Sequence, residues 1–300
     1  MVAAKDEGDE RATPRLAIVD DDPGHVSPAD VSSRAYSNSA FLTYKPASFA
    51  LLRLTPGAVV LDVGCGGGED AVQLAELVGP GGLVMGVDAS HVMLSRASER
   101  RSRSGARLEF RQGKAEALEL PSAAFDAARA DRLLHLVRQP AAALQELWRV
   151  VRPGGRVVIS EPDHNTFTLD ATDEDVTARI VSHWRDETSS RIPGSRVRRL
   201  CAAAGLTNIE LRADTTVTTS FDVASDVLGL GLVVQDAVAS GVLSAEEALR
   251  WCASAREDSA AGLFLATMTT FTVAGVRPRY GPSGADFTNV NARPTPDRQP

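Results

Sequence analysis

Ala58-Val59-Val60-Leu61-Asp62-Val63-Gly64-Cys65-Gly66-Gly67-Gly68-Glu69-Asp70 decides the fold, because an apolar run passes there directly into a cluster of glycines. Val59 to Val63 is β-branched and apolar at alternate and intervening positions, as a strand covered on both faces of a parallel sheet must be. Gly64, Gly66 and Gly68 permit positive φ and close approach of a ligand to the backbone, and a helix opening near Glu69 turns its free N–H groups toward that space. A dinucleotide turn asks for glycine at the first, third and sixth positions. Counted from Gly64 the sixth is Glu69, which would set a carboxylate against a pyrophosphate. Alternating glycines behind Asp62 suit a ligand with an ammonium group instead.

Working outward, Leu83-Val84-Met85-Gly86-Val87 forms a second strand ending in Asp88, where a carboxylate can accept both hydroxyls of a ribose. Gly113-Lys114-Ala115-Glu116 follows a third strand, Phe125 to Asp131 makes a fourth, and Arg152-Pro153-Gly154-Gly155 precedes a fifth. In this order and spacing the chain resembles the class I S-adenosylmethionine-dependent methyltransferases, closely over residues 42–165 and loosely beyond. Asp62 to Gly68 is similar to their motif I.

The resemblance implies an α/β fold: a Rossmann-like, doubly wound, mostly parallel seven-stranded sheet with a helical N-terminal segment and a helical lid insertion. It implies S-adenosylmethionine as cofactor, and it carries contacts over by position. Tyr44 and Lys45 fall at the methionine end, and Asp62, Gly64, Cys65, Gly66 and Gly68 in the turn. Asp88, Ala89 and Met93 fall at the ribose and adenine, with Met93 equally suited to the core. Lys114, Ala115 and Glu116 line the adenine, and Ala130 and Asp131 follow strand four. Lys114 departs from the family, where Asp is common, and a lysine accepts no hydrogen bond from an adenine amino group. Backbone atoms around Lys114 and Ala115, with Glu116 nearby, are expected to take over that role.

The alternation of strands at 58–63, 82–87, 107–112, 125–130 and 156–160 with helices at 69–78, 90–103 and 140–150 demands a parallel sheet with helices on both faces. Beyond it, helices are expected at 172–187, 194–204, 223–240 and 244–254, a sixth strand at 209–219 and a last at 263–276. Ser244-Ala245-Glu246-Glu247 fits a capping box. The chain divides into a mobile arm at 1–25, a helical cover at 26–56, a methyltransferase domain at 57–276 and a disordered tail at 277–300. Lid helices are expected near 166–190 and 222–258, and the apolar insertion around Leu228 to Val234 serves either as a substrate lid or as a dimer interface.

A net charge of −7 and a pI near 5.3 give no electrostatic reason to hold nucleic acid. No apolar run approaches the roughly 20 residues of a membrane-spanning helix. Cys65, Cys201 and Cys252 have no metal spacing and cannot all pair, so reduced thiols in the cytoplasm are expected, with no metal. The expected partner is a small-molecule substrate, neither nucleic acid nor membrane, and a homo-oligomer through the N-terminal or lid helices fits the apolar faces.

Two segments hold the candidate chemistry. Ala130-Asp131-Arg132-Leu133-Leu134-His135 follows strand four without the Asn-Pro-Pro-Tyr of enzymes that methylate nucleobase amines, and Ser160-Glu161-Pro162-Asp163-His164 follows strand five. His135 or His164, on the loops after those strands, could take a proton from a phenol, enol or acid, whereas Asp131 or Asp163 could stabilise a cation if the acceptor is an alkene. His135 could also simply pack inside the following helix. His25, His91 and His183 read as surface or helix histidines. The expected reaction is methyl transfer to an O, N or C atom of a small, partly apolar metabolite, as in natural-product biosynthesis. The alternative is a protein that uses the cofactor's charge to promote cyclisation or rearrangement without methyl transfer.

Overall fold

Seven strands lie in one sheet in the order β3-β2-β1-β4-β5-β7-β6. They are β1 (Val59–Val63), β2 (Leu83–Asp88), β3 (Arg107–Gln112), β4 (Phe125–Asp131), β5 (Val151–Asp170), β6 (Thr207–Thr218) and β7 (Leu265–Val276). The computed structural model describes residues 43–100, 102–188 and 192–279. The expected arm at 1–25, most of the helical cover and the tail beyond 279 lie outside these residues. Strands β1 to β5 pair in parallel, and β7 runs antiparallel to both β5 and β6.

Helices α1 (Tyr44–Leu51), α2 (Glu69–Val78), α3 (His91–Ser98) and α4 (Pro140–Val150) accompany the first five strands. The alternation along β1 assigns its faces. Val60 joins Phe49, Leu52, Leu74 and Val78 on the side of α1 and α2, while Leu61 and Val63 join Leu144, Leu147 and Ile159 on the side of α4. Ser90 caps α3 by accepting from the Met93 N–H, and α3 ends at Ser98, short of the expected 103.

The second half departs more from the local signals. β5 runs on to Asp170 because β7 pairs with it through Asp163 and again from Thr168, so Asp163 and His164 lie inside a strand rather than on a loop. Helix α5 (Glu174–Thr188) follows. The expected helix over 194–204 divides into a 3₁₀ turn, Gly194–Arg196, and α6 (Val197–Ala203). The helix expected over 223–240 is broken. A turn at Phe221–Val223 widens into a π-helical Ala224–Leu228, Gly229 takes φ +79°, and α7 (Leu230–Ala239) starts afresh. Helix α8 (Ala245–Ala261) opens with the expected capping box and stops at Gly262, which also has positive φ.

Helices α5, α7 and α8 build a second core from Ile180, Trp184, Leu230, Val234 and Trp251, into which Tyr44 and Phe167 also pack. Polar ties fix it. Trp251 Nε1 donates to Thr177 Oγ1 at 2.9 Å, and His183 Nε2 lies 2.8 Å from Asp236 Oδ2, joining α5 to α7. Among the described residues no helix is long and apolar enough to cross a membrane.

Candidate active site

The sheet's winding reverses between β1 and β4, since β2 lies outside β1 and β5 outside β4. Open α/β sheets bind ligands at such a switch point, beyond the carboxyl ends of the strands. The glycine turn sits there. A methyl built on Gly66 (φ +52°) would meet only the Met93 Cε, at 3.3 Å, whereas one on Gly68 (φ +81°) would press on Phe110 and Ala97 at 2.8 and 3.0 Å. Gly66 therefore keeps open the space under Met93, and Gly68 answers to the packing of the turn against β3 and α3. Asp88 fastens the turn: its Oδ2 accepts the Gly66 N–H at 2.8 Å and its Oδ1 the Ser90 N–H at 2.9 Å. Lone pairs remain on both oxygens. Glu69, whose place argued against a pyrophosphate, pairs with Arg100, which also donates to the Gly67 carbonyl. Cys65 is buried, and burial pushes its thiol far above the usual range.

Beneath the turn lies a cluster of buried charges. Arg129, on β4, donates to Asp62 at 3.3 Å, Asp70 at 2.8 Å and Asp131 at 2.8 Å. Lys45, from α1, bridges Asp70 and Asp131, and the Tyr44 hydroxyl donates to Asp131 at 2.9 Å. Burial lifts the Asp62 carboxyl to about 7 against the pull of Arg129. Burial acts on Asp131 too, yet Lys45 and Arg129 hold it well below the ordinary carboxylate range. Asp131 thus spends its charge on the protein's own cations, which corrects its expected availability to a substrate cation. Asp163 is also spent: its two oxygens accept the Asn165 and Ser195 N–H groups, each at 3.1 Å.

At the ends of β4 and β5 the histidines meet. The rings of His135 and His164 stand 5.5 Å apart, His164 lies 6.0 Å from Trp184, and Trp184 stacks at 3.9 Å on Phe167. His135 occupies the turn before α4, not a helix interior, and its Nδ1 lies 2.6 Å from Glu161 Oε2. Along the adenine segment Lys114 is exposed and pairs through its backbone with Ala117, Ala115 is buried, and Glu116 accepts the Arg138 N–H at 3.2 Å. Ala89 offers its carbonyl to Gln112, and Ala130 is buried opposite Val63.

The family model for a methyltransferase domain matches residues 54–205. The chain belongs to the class I S-adenosylmethionine-dependent methyltransferases. It is 36% identical over 238 residues to an uncharacterised 37.1 kDa protein of transposon Tn4556 from Streptomyces fradiae, covering 79% of this chain and 68% of that one. It is 37% identical over 114 residues to a demethylmenaquinone methyltransferase of Lactococcus lactis, covering 38% of this chain and 45% of that enzyme, less than half its length. The solved YcgJ protein of Bacillus subtilis shares the fold, with a TM-score of 0.54 at 20% identity, covering 80% of this chain and 100% of that one.

S-adenosylmethionine is therefore the cofactor of this methyltransferase, and the residues present fit it. Asp62 Oδ2 and Asp70 Oδ1 are buried oxygens with no hydrogen-bond partner, as a site awaiting an ammonium group would leave them. Gly66 admits no larger side chain without moving Met93. Three buried charged residues beside the glycine turn and the histidine pair escaped the sequence reading: Arg129, Asp70 and Glu161. A signal existed for two of them. An arginine amid alanines in β4, and a glutamate directly after the apolar Val157-Val158-Ile159, are charges that a buried strand can hold only with partners.

Proposed function

We propose that the enzyme methylates an O, N or C atom of a small, partly apolar metabolite bound between the ends of β4 and β5 and helix α5. The observation that carries this reading is the pairing of His135 and His164 against the aromatic wall of Trp184 and Phe167. Polar groups able to hold or move a proton there are backed by a buried aromatic pair, an environment in keeping with a partly apolar acceptor. Bound S-adenosylmethionine supplies a sulfonium methyl for in-line displacement. The chain's part is to hold the acceptor in line and keep water out. In this reading Asp88 holds the ribose, Gly66 and Met93 flank the nucleoside, Tyr44, Lys45 and Asp62 border the methionine end, and Ala115 with Glu116 lines the adenine.

Helices α5, α7 and α8 act as a lid in this proposal, since their shared core takes in Tyr44, the first residue of α1. The three unpaired cysteines suit a cytoplasmic enzyme. The test is mass balance. Incubation of the full chain with S-adenosylmethionine and a panel of small phenols, amines and polyenes should yield S-adenosylhomocysteine in proportion to methylated product. Product formed with no S-adenosylhomocysteine would instead indicate cyclisation or rearrangement.

A further inference from the structure

Glu161 is fully buried in β5, one strand away from the charge cluster, and among the described residues no ion pair joins it to a lysine or arginine. Its Oε1 accepts the N–H groups of Leu133 and Leu134 at 2.7 and 2.5 Å, and its Oε2 faces His135 Nδ1 at 2.6 Å. An ionised carboxylate can only accept, so the ring must present Nδ1–H to it. In the neutral imidazole the lone pair then resides on Nε2, which has no hydrogen-bond partner among the described residues. A buried carboxylate that fixes the tautomer of a histidine also stabilises the imidazolium formed when that histidine takes a proton.

We infer that Glu161 is a positioning residue that makes His135 Nε2 the general base, and that the acceptor is an acidic hydroxyl of phenol or enol type. An amine already carries its nucleophilic lone pair when neutral, and an alkene has no proton to surrender before the methyl arrives. A phenol or enol gains most of its nucleophilicity by losing one. The step balances without a further reactant: the hydroxyl proton passes to His135 Nε2, the oxygen forms a bond to the methyl carbon, and the carbon–sulfur bond breaks with its electron pair staying on sulfur. Trp184 and Phe167, both buried, stand behind His164 as an aromatic pair. This inference rests on the proposed methyl transfer at the same crevice.

The pair can be examined without knowing the natural substrate. Long-range ¹H–¹⁵N spectra of protein labelled at histidine and saturated with S-adenosylhomocysteine should show His135 as the Nδ1–H tautomer. Glu161→Gln, whose amide can keep Oε1 for the backbone and turn its NH₂ to the ring, should shift it to Nε2–H. The probe for the acceptor is 4-nitrophenol, added at a pH where the free molecule is protonated. Wild type should show the absorption of bound phenolate, His135→Asn should abolish it, and Glu161→Gln should weaken it at least about tenfold. With any hydroxyl acceptor found in the panel, Glu161→Gln and His135→Asn should each lower kcat about 10²–10³-fold, and the double variant little further, because the two act as one unit. An Nε2–H tautomer in wild type, or one unmoved in Glu161→Gln, overturns the positioning role, and absence of bound phenolate overturns the hydroxyl class. Failure to bind S-adenosylmethionine by calorimetry would instead count against the methyl-transfer reading itself.

Discussion

Two groups of buried acids lie one strand apart at the carboxyl edge of the sheet, and they are neutralised differently. Under the glycine turn, Asp62, Asp70 and Asp131 share Arg129 and Lys45, and the guanidinium does not give up its proton near neutrality. In β5, Glu161 is met by two backbone N–H groups and the imidazole of His135. A carboxylate matched by guanidinium is frame, because its cation keeps its charge; within that frame only Asp62, lifted to about 7 by burial, titrates near neutrality. One matched by imidazole can pass through a protonation cycle and return. The first grouping holds α1, β1, α2 and β4 in register, and the second offers a proton acceptor to whatever lies beside it.

Breaking the first grouping should have the largest effect. Arg129→Leu leaves three carboxylates with one fewer cation in a buried site, and urea unfolding should show a loss of about 3–5 kcal/mol. A loss below about 1 kcal/mol would mean that the cluster is not held together by this guanidinium.

The same cluster should leave a mark on the pH dependence of stability. With its carboxyl lifted to about 7, Asp62 keeps its proton in the folded chain while the unfolded chain has lost it above about pH 4. Stability from this group is thus full in acid and drains as pH rises toward 7. Compared with Asp62→Asn, which cannot titrate, wild type should lose at most on the order of 3–4 kcal/mol across that window and run parallel above it. Parallel curves from pH 4 to 8 would show that Asp62 is ionised throughout.

A smaller loss is expected where the cofactor meets the turn. Asp88→Ala should weaken S-adenosylmethionine binding by about 1.5–3 kcal/mol in calorimetry, through lost ribose contacts and a loosened Gly66 N–H. Unchanged affinity would remove Asp88 from the site. The smallest effect sharpens the contrast within the histidine pair. His164→Phe keeps the ring packing on Trp184 and leaves the Glu161–His135 pair intact, so kcat should stay within about tenfold of wild type. A drop as deep as that of His135→Asn would make His164 the base.

The core half of the fold was legible because its signals are local. Val59 to Val63, the glycines after it, Asp88 at a strand end and Ser90 at a helix start each show their place within a few residues, and the structure holds them there. The second half was less legible because its boundaries answer to distant partners. β5 continues to Asp170 because β7 pairs with it on both sides of the irregularity that holds His164, and the insertion breaks at Gly229, a residue whose cost in a helix can be outweighed by packing. The candidate site divides along the same line. Gly66 and Asp88 show their place in the turn from the sequence alone, but Asp131 and Asp163 looked available only because the sequence does not show who occupies their oxygens.

The sequence by itself determined the order of strands and helices, the glycine turn after β1 and the family to which the chain belongs, since periodicity, glycine placement and strand-end acids act over short stretches. Only the tertiary structure decided which buried charges neutralise one another and which one turns to a histidine. Residues 45, 62, 70, 129 and 131 come from four elements, and 135 and 161 from two, so their chemistry exists only once the sheet brings them within hydrogen-bond reach.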